Sequence, residues 1–499
     1  MSQNVFEKLQ PNTLAYEQSG LVKATGFREY DARWLFEKEI NLAGVQVIGM
    51  SLGTLLYERD VPPEIIVGHD FRSYSSAIKY ALTSGLMAAG CKVHDIGMCT
   101  TPMAYFAQFE RDVPAVAMVT ASHNDNGWTG IKMGMDRPLT FGPDEMSALK
   151  TLVLEGRWKM RSGGGLTLVD DFYSAYRHDL ASAGKISRKL RVAAVCGNGT
   201  AGAFAPQILR DLGCEVIEID CELDHSFPNY NPNPEDLKML EVMARAVKHH
   251  RLDLAFGFDG DGDRCGVADN EGNIIFADKI GLMLARDIAA LSPNAKFVVD
   301  VKSTGLFKSD PVLKALGATV DYWKTGHSYI KQRTSALGAA AGFEKSGHFF
   351  FRPPYGHGYD DGIVSAIAIC RMLDHAPSQS ISDLYRALPQ SFATPTMSPH
   401  CDDEKKYDVL KQLVSDIERA ARNGDLIAGD VITDINTVNG VRFGFNDGSW
   451  GLIRASSNKP ELVVVCESLK SESQMRGIFN YIESLLARYP AVGAFNQKI

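Results

Sequence analysis

What the chain lacks narrows it first. Its nine cysteines are scattered and odd in number, with no C-x-x-C pair. That argues against a disulfide frame or a zinc ribbon and for reduced thiols. Basic residues are not in excess: 52 Lys and Arg against 60 Asp and Glu leave a net charge of -8. No nucleic acid or anionic membrane surface is therefore expected as a partner. No stretch approaches the ~18 consecutive apolar residues needed to span a bilayer. The segment Met1–Glu7 has neither the basic start nor the apolar run of a signal peptide. The expected compartment is the cytoplasm.

What is present is ordinary in bulk and distinctive in detail. Apolar residues make up 45% and charged residues 22% of 499 positions, the composition of a globular protein too long for one core. Three segments repeat one pattern: apolar strand, amphipathic helix, glycine, second strand. They begin at Glu64, Val192 and Phe297, and their glycines are Gly90, Gly213 and Gly317. Successive β-α-β units with helix-covered sheets follow from that pattern. The last hundred residues differ. A proline-bearing stretch from Pro389 to Pro399 reads as a linker. An amphipathic helix (Tyr407, Leu410, Val414, Ile417), strands near Val441–Phe445 and Leu462–Val465, and a helix through Ile478, Ile482 and Leu485 follow. These predict a small α+β domain with a largely antiparallel sheet. The expected boundaries are 1–165, 166–270, 271–388 and 389–499.

Two runs carry most of the chemistry. Thr120-Ala121-Ser122-His123-Asn124 places a serine directly after the apolar strand Val116–Val119, where α/β proteins stage their reactions. Its neighbours do not supply the G-x-S-x-G elbow of a hydrolase nucleophile. Lys132, ten residues on, can bring a positive charge or a proton to it. The second run is Asp259-Gly260-Asp261-Gly262-Asp263-Arg264. Alternating glycines let three carboxylates converge, and such a cluster of hard oxygens selects magnesium or calcium over zinc. A calcium EF-hand loop would need glycine at its sixth position and glutamate at its twelfth, where this chain has Arg264 and Asn270. A placed serine with a three-carboxylate loop suggests phosphate carried on an oxygen nucleophile beside a divalent cation. Two further loops look ligand-binding. Gly342-Phe343-Glu344-Lys345-Ser346-Gly347-His348 offers groups for vicinal hydroxyls, and Arg454-Ala455-Ser456-Ser457-Asn458-Lys459 offers convergent donors suited to phosphate.

In this order and spacing the four loops resemble the α-D-phosphohexomutase superfamily, most closely its bacterial phosphomannomutase/phosphoglucomutase branch. The resemblance spans nearly the whole chain. It includes Phe27-Arg28-Glu29-Tyr30-Asp31-Ala32-Arg33, Asp300-Val301-Lys302 and Gly326-His327-Ser328. The chain departs from the family's pattern at Ala32 and Trp34, at Phe343 before Glu344, and at Ser457-Asn458-Lys459.

The resemblance implies three similar mixed-sheet α/β/α domains and a C-terminal α+β domain around a central cleft. It implies Ser122 as the phosphorylated residue, with Asp259, Asp261, Asp263 and a phosphoserine oxygen holding one Mg²⁺. His123, Lys132, Arg264 and His327 join Ser122 as the implied catalytic set. Tyr30, Arg33, Lys302, Glu344, Ser346, His348, Arg454, Ser456, Asn458 and Lys459 are the implied substrate ligands. The implied reaction interconverts the 1- and 6-phosphates of mannose or glucose through a bound hexose 1,6-bisphosphate. Lys345 in E-x-S-G-H favours glucose and mannose over glucosamine. Phosphoglucosamine mutase, a phosphatase and a silent sugar-phosphate-binding protein are the alternatives. Partners are expected to be small sugar phosphates, and the chain a monomer or homodimer.

Overall fold

The run Ala115–Val119 has no polar residue to turn toward solvent, and it forms a strand buried along its whole length. The structure is a computed structural model that describes residues 10–182, 184–456 and 460–497. The chain divides into two compact units, Met1–Ala277 with Ser346–Ser382 and Asp278–Lys345 with Asp383–Ile499.

The first unit contains two mixed sheets. One is built from β1 (Ala32–Leu35), β2 (Glu64–His69), β3 (Lys92–Met98), β4 (Ala115–Val119), β5 (Trp128–Gly134) and β6 (Gly165–Leu168), in the order β1-β5-β4-β2-β3-β6. β2 runs parallel to β3 and β4, whereas β5 is antiparallel to β4 and β1. Ile48, Leu52, Leu82 and Leu86 from the helices Leu42–Glu58 and Ser75–Ala88 pack with Val67 and Val119 in the core. Trp34, where the family pattern has glycine, is fully buried in this core and meets Phe27 edge-on at 5.3 Å. Its indole N–H donates to the Lys23 carbonyl at 2.8 Å.

The second sheet comprises β7 (Arg191–Val195), β8 (Glu215–Ile219), β9 (Leu254–Phe258), β10 (Cys265–Ala268) and β11 (Ile274–Ile275), ordered β11-β10-β9-β7-β8. β9 and β10 form a hairpin closed by the pair Phe258 and Cys265, so the aspartate run is its six-residue turn. The other unit holds β12 (Lys296–Asp300), β13 (Thr319–Trp323) and β14 (Ala341–Phe343), with β12 parallel to both neighbours.

All three expected β-α-β units are present, each with its two strands paired in parallel: β2 with β3, β7 with β8, β12 with β13. Gly90, Gly213 and Gly317 take positive φ just past the connecting helices, the conformation that ends a helix without a Cβ penalty.

The C-terminal part is an antiparallel sheet in the order Phe392–Ala393, Leu462–Ser468, Trp450–Ala455, Val441–Gly444, Asp434–Asn436. The helices Lys406–Asn423 and Glu472–Leu486 cover it through Leu413, Ile417, Ile478 and Ile482. The expected linker is not one. Phe392–Ala393 is an edge strand, Met397 bridges to Val464, and Pro399–Cys401 pairs with Val492–Phe495. Prolines are tolerated at such edges, where a missing N–H faces away from the ladder.

Candidate active site

The serine loop begins where β4 ends. Ser122 has φ 52°, a left-handed conformation that costs a serine about 1–3 kcal/mol unless its surroundings impose it. They do. The Ser122 N–H donates to Thr120 Oγ1 at 2.9 Å, and its carbonyl accepts Arg72 Nη2 at 3.1 Å. Arg72 Nη2 also reaches the Asn124 carbonyl at 2.6 Å, while its Nη1 is anchored on Asp70 at 2.5 Å. From β1, Arg33 donates to the Ala121 carbonyl at 2.6 Å and to Asn124 Oδ1 at 2.7 Å, steadied by Asp31 at 2.9 Å. Asn231 Nδ2 holds the His123 carbonyl at 2.6 Å. Burial, Arg264 and Arg33 push the His123 imidazole well below its usual range, favouring its neutral form.

The aspartate turn lies against this loop. Asp259, Asp261 and Asp263 are fully buried, with one carboxylate oxygen of each within 4.8 Å of the others. Ser122 Oγ donates to Asp259 Oδ2 at 3.2 Å. A Cβ on Gly260 would sit 2.4 Å from the Ser122 carbonyl oxygen, so only glycine allows this approach. Thr101 Oγ1 donates to Asp261 Oδ2 at 2.6 Å. Lys132, buried on β5, reaches Asp261 Oδ2 at 2.8 Å and also donates to Asp263 Oδ2.

The charges divide unevenly. Burial and the neighbouring charges of Asp263 and Asp261 push Asp259 well above the carboxylate range. Burial would do the same to Asp261, but Lys132, Thr101 and Arg33 hold it far below. Burial works against the charged form of Lys132, yet Asp261 and Asp263 raise its ammonium well above its ordinary value. Asp261 Oδ1 and Asp263 Oδ1 have no hydrogen-bond partner. Buried carboxylate oxygens without donors, beside an ammonium already drawn in, fit a hard divalent cation.

Arg264 closes the turn. Its N–H donates to Asp259 Oδ1 at 3.2 Å, and its Nε lies 3.7 Å from Asp259 Oδ2. The same Nε donates to His348 Nε2 at 2.9 Å. His348 Nδ1 is 2.9 Å from Asp360 Oδ2 and 3.6 Å from Asp263 Oδ1. The first unit thus assembles Arg33, Ser122, His123, Lys132, Asp259, Asp261, Asp263, Arg264 and His348. Tyr30 lies half-buried in the turn before β1, and Ser346 is half-buried two residues before His348.

The second unit organises a different set around Asp300. Ser303 Oγ and Thr325 Oγ1 donate to it at 2.5 and 3.1 Å, the Lys345 N–H at 3.3 Å, and Lys302 Nζ is 4.0 Å away. Glu344 is buried and accepts the Gly326 N–H, next to His327 at the start of the helix His327–Leu337. Arg454 and Ser456 are buried at the end of the strand Trp450–Ala455. Arg454 Nη1 donates to the Ala455 carbonyl at 2.8 Å, and the Ser456 carbonyl accepts Lys406 Nζ at 2.6 Å. Asn458 and Lys459 lie outside the described residues.

Sequence reading missed Asp70, Arg72 and Asp360. Asp70 and Arg72 follow β2 at the same sheet end as Ser122, and that position is the signal that could have found them. Asp360 was masked by its neighbour Asp361, which looks like, and is, a helix N-cap.

With the geometry in place, the comparisons with known proteins are unambiguous. Residues 24–160, 170–272 and 276–392 match the phosphoglucomutase/phosphomannomutase alpha/beta/alpha domains I, II and III. A phosphomannomutase/phosphoglucomutase of Pseudomonas putida is 32% identical over 464 residues, covering 93% of this chain and 95% of that protein. A phosphoglucomutase of Neisseria gonorrhoeae is 31% identical over 465 residues, covering 93% and 97%. The crystal structure of a phosphoglucomutase/phosphomannomutase family protein from Burkholderia thailandensis superposes with a TM-score of 0.85 at 28% identity, covering 95% of this chain and 100% of that one. The chain therefore belongs to the phosphoglucomutase/phosphomannomutase family of the α-D-phosphohexomutase superfamily, in its bacterial branch. Among the described residues no helix is long and apolar enough to cross a membrane.

Proposed function

We propose that this protein interconverts the 1- and 6-phosphates of glucose and mannose, with Ser122 as the group that carries the phosphoryl. The observation that supports this most directly is Ser122 Oγ at 3.2 Å from Asp259, in a buried three-aspartate turn. Phosphoryl transfer asks a protein mainly for positioning and for neutralisation of charge. Asp259, Asp261 and Asp263 would hold Mg²⁺, which would offset the roughly -1.5 to -2 charge of a phosphoserine. Phosphorylated Ser122 gives its phosphoryl to the free hydroxyl of a hexose monophosphate. The hexose 1,6-bisphosphate so formed turns over and returns its other phosphoryl to Ser122.

The chain's own residues do the rest. Arg72 and Arg33 fix the serine loop by its carbonyls, so the oxygen nucleophile meets the phosphorus from one direction. Arg264 stands beside Asp259, its Nη1 3.7 Å from Glu235 Oε2, and brings a guanidinium suited to phosphate oxygens to the turn. Lys132, as a buried ammonium, supplies positive charge at the turn and is a proton donor within it. We assign the sugar hydroxyls to Glu344 and Ser346, and the phosphate that is not reacting to Arg454 and Ser456. Lys302 and Tyr30 complete the assigned substrate ligands, and His327 is assigned with the catalytic set. The nine cysteines are all free and buried, in keeping with a cytoplasmic site of action.

The test is turnover of glucose, mannose and glucosamine 1-phosphates side by side, with Mg²⁺ and a trace of hexose 1,6-bisphosphate. The 6-phosphates of glucose and mannose are the expected products, and Ser122→Ala should abolish them while leaving the fold intact. Release of inorganic phosphate without a 6-phosphate would replace the mutase reading with a phosphatase.

A further inference from the structure

Arg442, on the strand Val441–Gly444, is a buried cation without a counter-charge; 8% of its surface is exposed. The central carbon of its guanidinium lies 3.6 Å from the centre of the Trp450 ring and 4.2 Å from that of Tyr322. Nη1 is fully used: it donates to the Val301 carbonyl and, at 2.8 Å, to the Ser303 carbonyl. Nε and Nη2 donate to none of the described residues, and among those residues Arg442 forms no ion pair. Aromatic faces attract a cation but give the N–H groups along its edge no acceptor. Burial accordingly pushes the guanidinium below the ordinary arginine value.

That edge opens on a cavity. Neither Nε nor Nη2 is sealed from solvent, and Arg442 lines a recess of about 300 Å³ with Lys308, Ser309, Lys314, Asp434 and Asp447, all in the second unit. None of the residues assigned to the sugar phosphate lines it. The two carboxylates in its wall are already engaged. Asp434 is held by Lys308 at 2.6 Å, and Asp447 by Gln474 Nε2 at 3.1 Å with Lys470 Nζ 3.6 Å away. Lys314 is exposed and has no carboxylate partner among the described residues. What is left over in the recess is positive: one guanidinium edge and one ammonium.

The Nε–Nη2 edge of an arginine is a fork of two parallel N–H groups that takes two oxygens of one anion. A carboxylate would balance one positive group, whereas a phosphate monoester carries about -1.5 to -2 near neutral pH and balances two. We propose that this recess is a further anion site, which binds a phosphate group on the Nε–Nη2 edge of Arg442 with Lys314 at its flank. Because Nη1 of the same guanidinium holds the carbonyls on either side of Lys302, the occupant stands one side chain away from that loop.

The test is NMR of the full-length protein labelled with nitrogen-15 in arginine and tryptophan. The Arg442 Nε–H and Trp450 indole signals are assigned by their loss in Arg442→Lys and Trp450→Phe. Inorganic phosphate and methyl phosphate are titrated in turn. Both reporters should shift saturably with one Kd of about 1 mM, and exchange of the Arg442 Nε–H with water should slow. Lys314→Glu, a change at an exposed side chain, should weaken that Kd about tenfold. If Arg442→Lys does not fold, the Trp450 signal and Lys314→Glu still carry the test.

No saturable shift by about 10 mM of either anion, or an unaltered Kd in Lys314→Glu, overturns the proposal and leaves Arg442 as a cation–π strut alone. Tighter binding of methyl phosphate supports a phosphate ester as the occupant, and tighter binding of inorganic phosphate the free ion. The measurement makes no use of turnover, so its failure and a failure of the mutase reading are distinguishable.

Discussion

Replacing Glu467 by glutamine changes one oxygen for one nitrogen and should cost the protein several kcal/mol. Glu467 is buried on the strand Leu462–Ser468 and collects four donors: Lys279 Nζ and Thr304 Oγ1 at 2.8 Å, the Gly305 N–H at 2.6 Å, and Trp450 Nε1 at 2.7 Å. Burial alone would raise this carboxyl. Lys279 and the hydrogen bonds instead hold it down from its ordinary 4.5 to about 2, which corresponds to about 3 kcal/mol. Because the folded value is the lower one, that contribution is complete above pH about 4.5 and is lost as the pH falls toward 2. Glutamine would leave the Lys279 ammonium buried without its counter-charge and turn an N–H toward a set in which Lys279, Gly305 and Trp450 can only donate. Breaking a buried pair in this way costs about 3–5 kcal/mol.

The assay is urea unfolding at pH 7 followed by tryptophan fluorescence, since the Trp450 indole touches the altered group. The decisive comparison is a double-mutant cycle with Lys279→Met. If the charges compensate each other, Glu467→Gln with Lys279→Met together should lose much less than the two separate losses combined. Additive losses, or a Glu467→Gln protein within 1 kcal/mol of wild type, would refute the reasoning.

Two further outcomes follow from the first unit. Lys132→Met removes the ammonium that balances the aspartate turn, so metal-free protein should lose about 3–5 kcal/mol. Mg²⁺ should restore most of it, giving a larger Mg²⁺-induced rise in Tm than in wild type; an equal rise would count against the turn as the metal site. Arg72→Lys keeps a charge beside Asp70 but cannot hold the Ser122 and Asn124 carbonyls together. Its kcat should fall about tenfold or more, about 1.4 kcal/mol in the barrier, with Mg²⁺ affinity by calorimetry unchanged.

Much of the α/β architecture could be read before the structure because it rests on local periodicity. Three strand-helix-glycine-strand patterns became three parallel strand pairs, since a glycine past a helix and an apolar strand each act within a few residues. The candidate site was legible for the same reason: Ser122 and the three aspartates each lie in one short run. What was not legible depends on pairing across long intervals. The stretch Pro389–Pro399 looked like a linker because nothing local reveals that Met397 will meet Val464. Arg72 lies 50 and 52 residues from the carbonyls it holds and Asp70 lies 51 residues from the Ala121 N–H it accepts, and only the parallel pairing of β2 with β4 brings them there. Trp34 stands out against the family pattern in sequence, but its full burial against Phe27 could be seen only in three dimensions.

The separate two-stranded ladder between Pro399–Cys401 and Val492–Phe495 means that the C-terminal part starts and finishes at one spot. A stretch of chain whose two ends meet is the kind that can be cut out or grafted as a cassette. Here the obstacle to doing so is chemical rather than topological. Excised at residue 389, the cassette would carry Glu467 away from Lys279, Thr304 and Gly305, leaving the Trp450 indole as the one remaining donor of the four. A stable isolated cassette therefore calls for an uncharged residue of similar volume at 467, chosen before the cut is made.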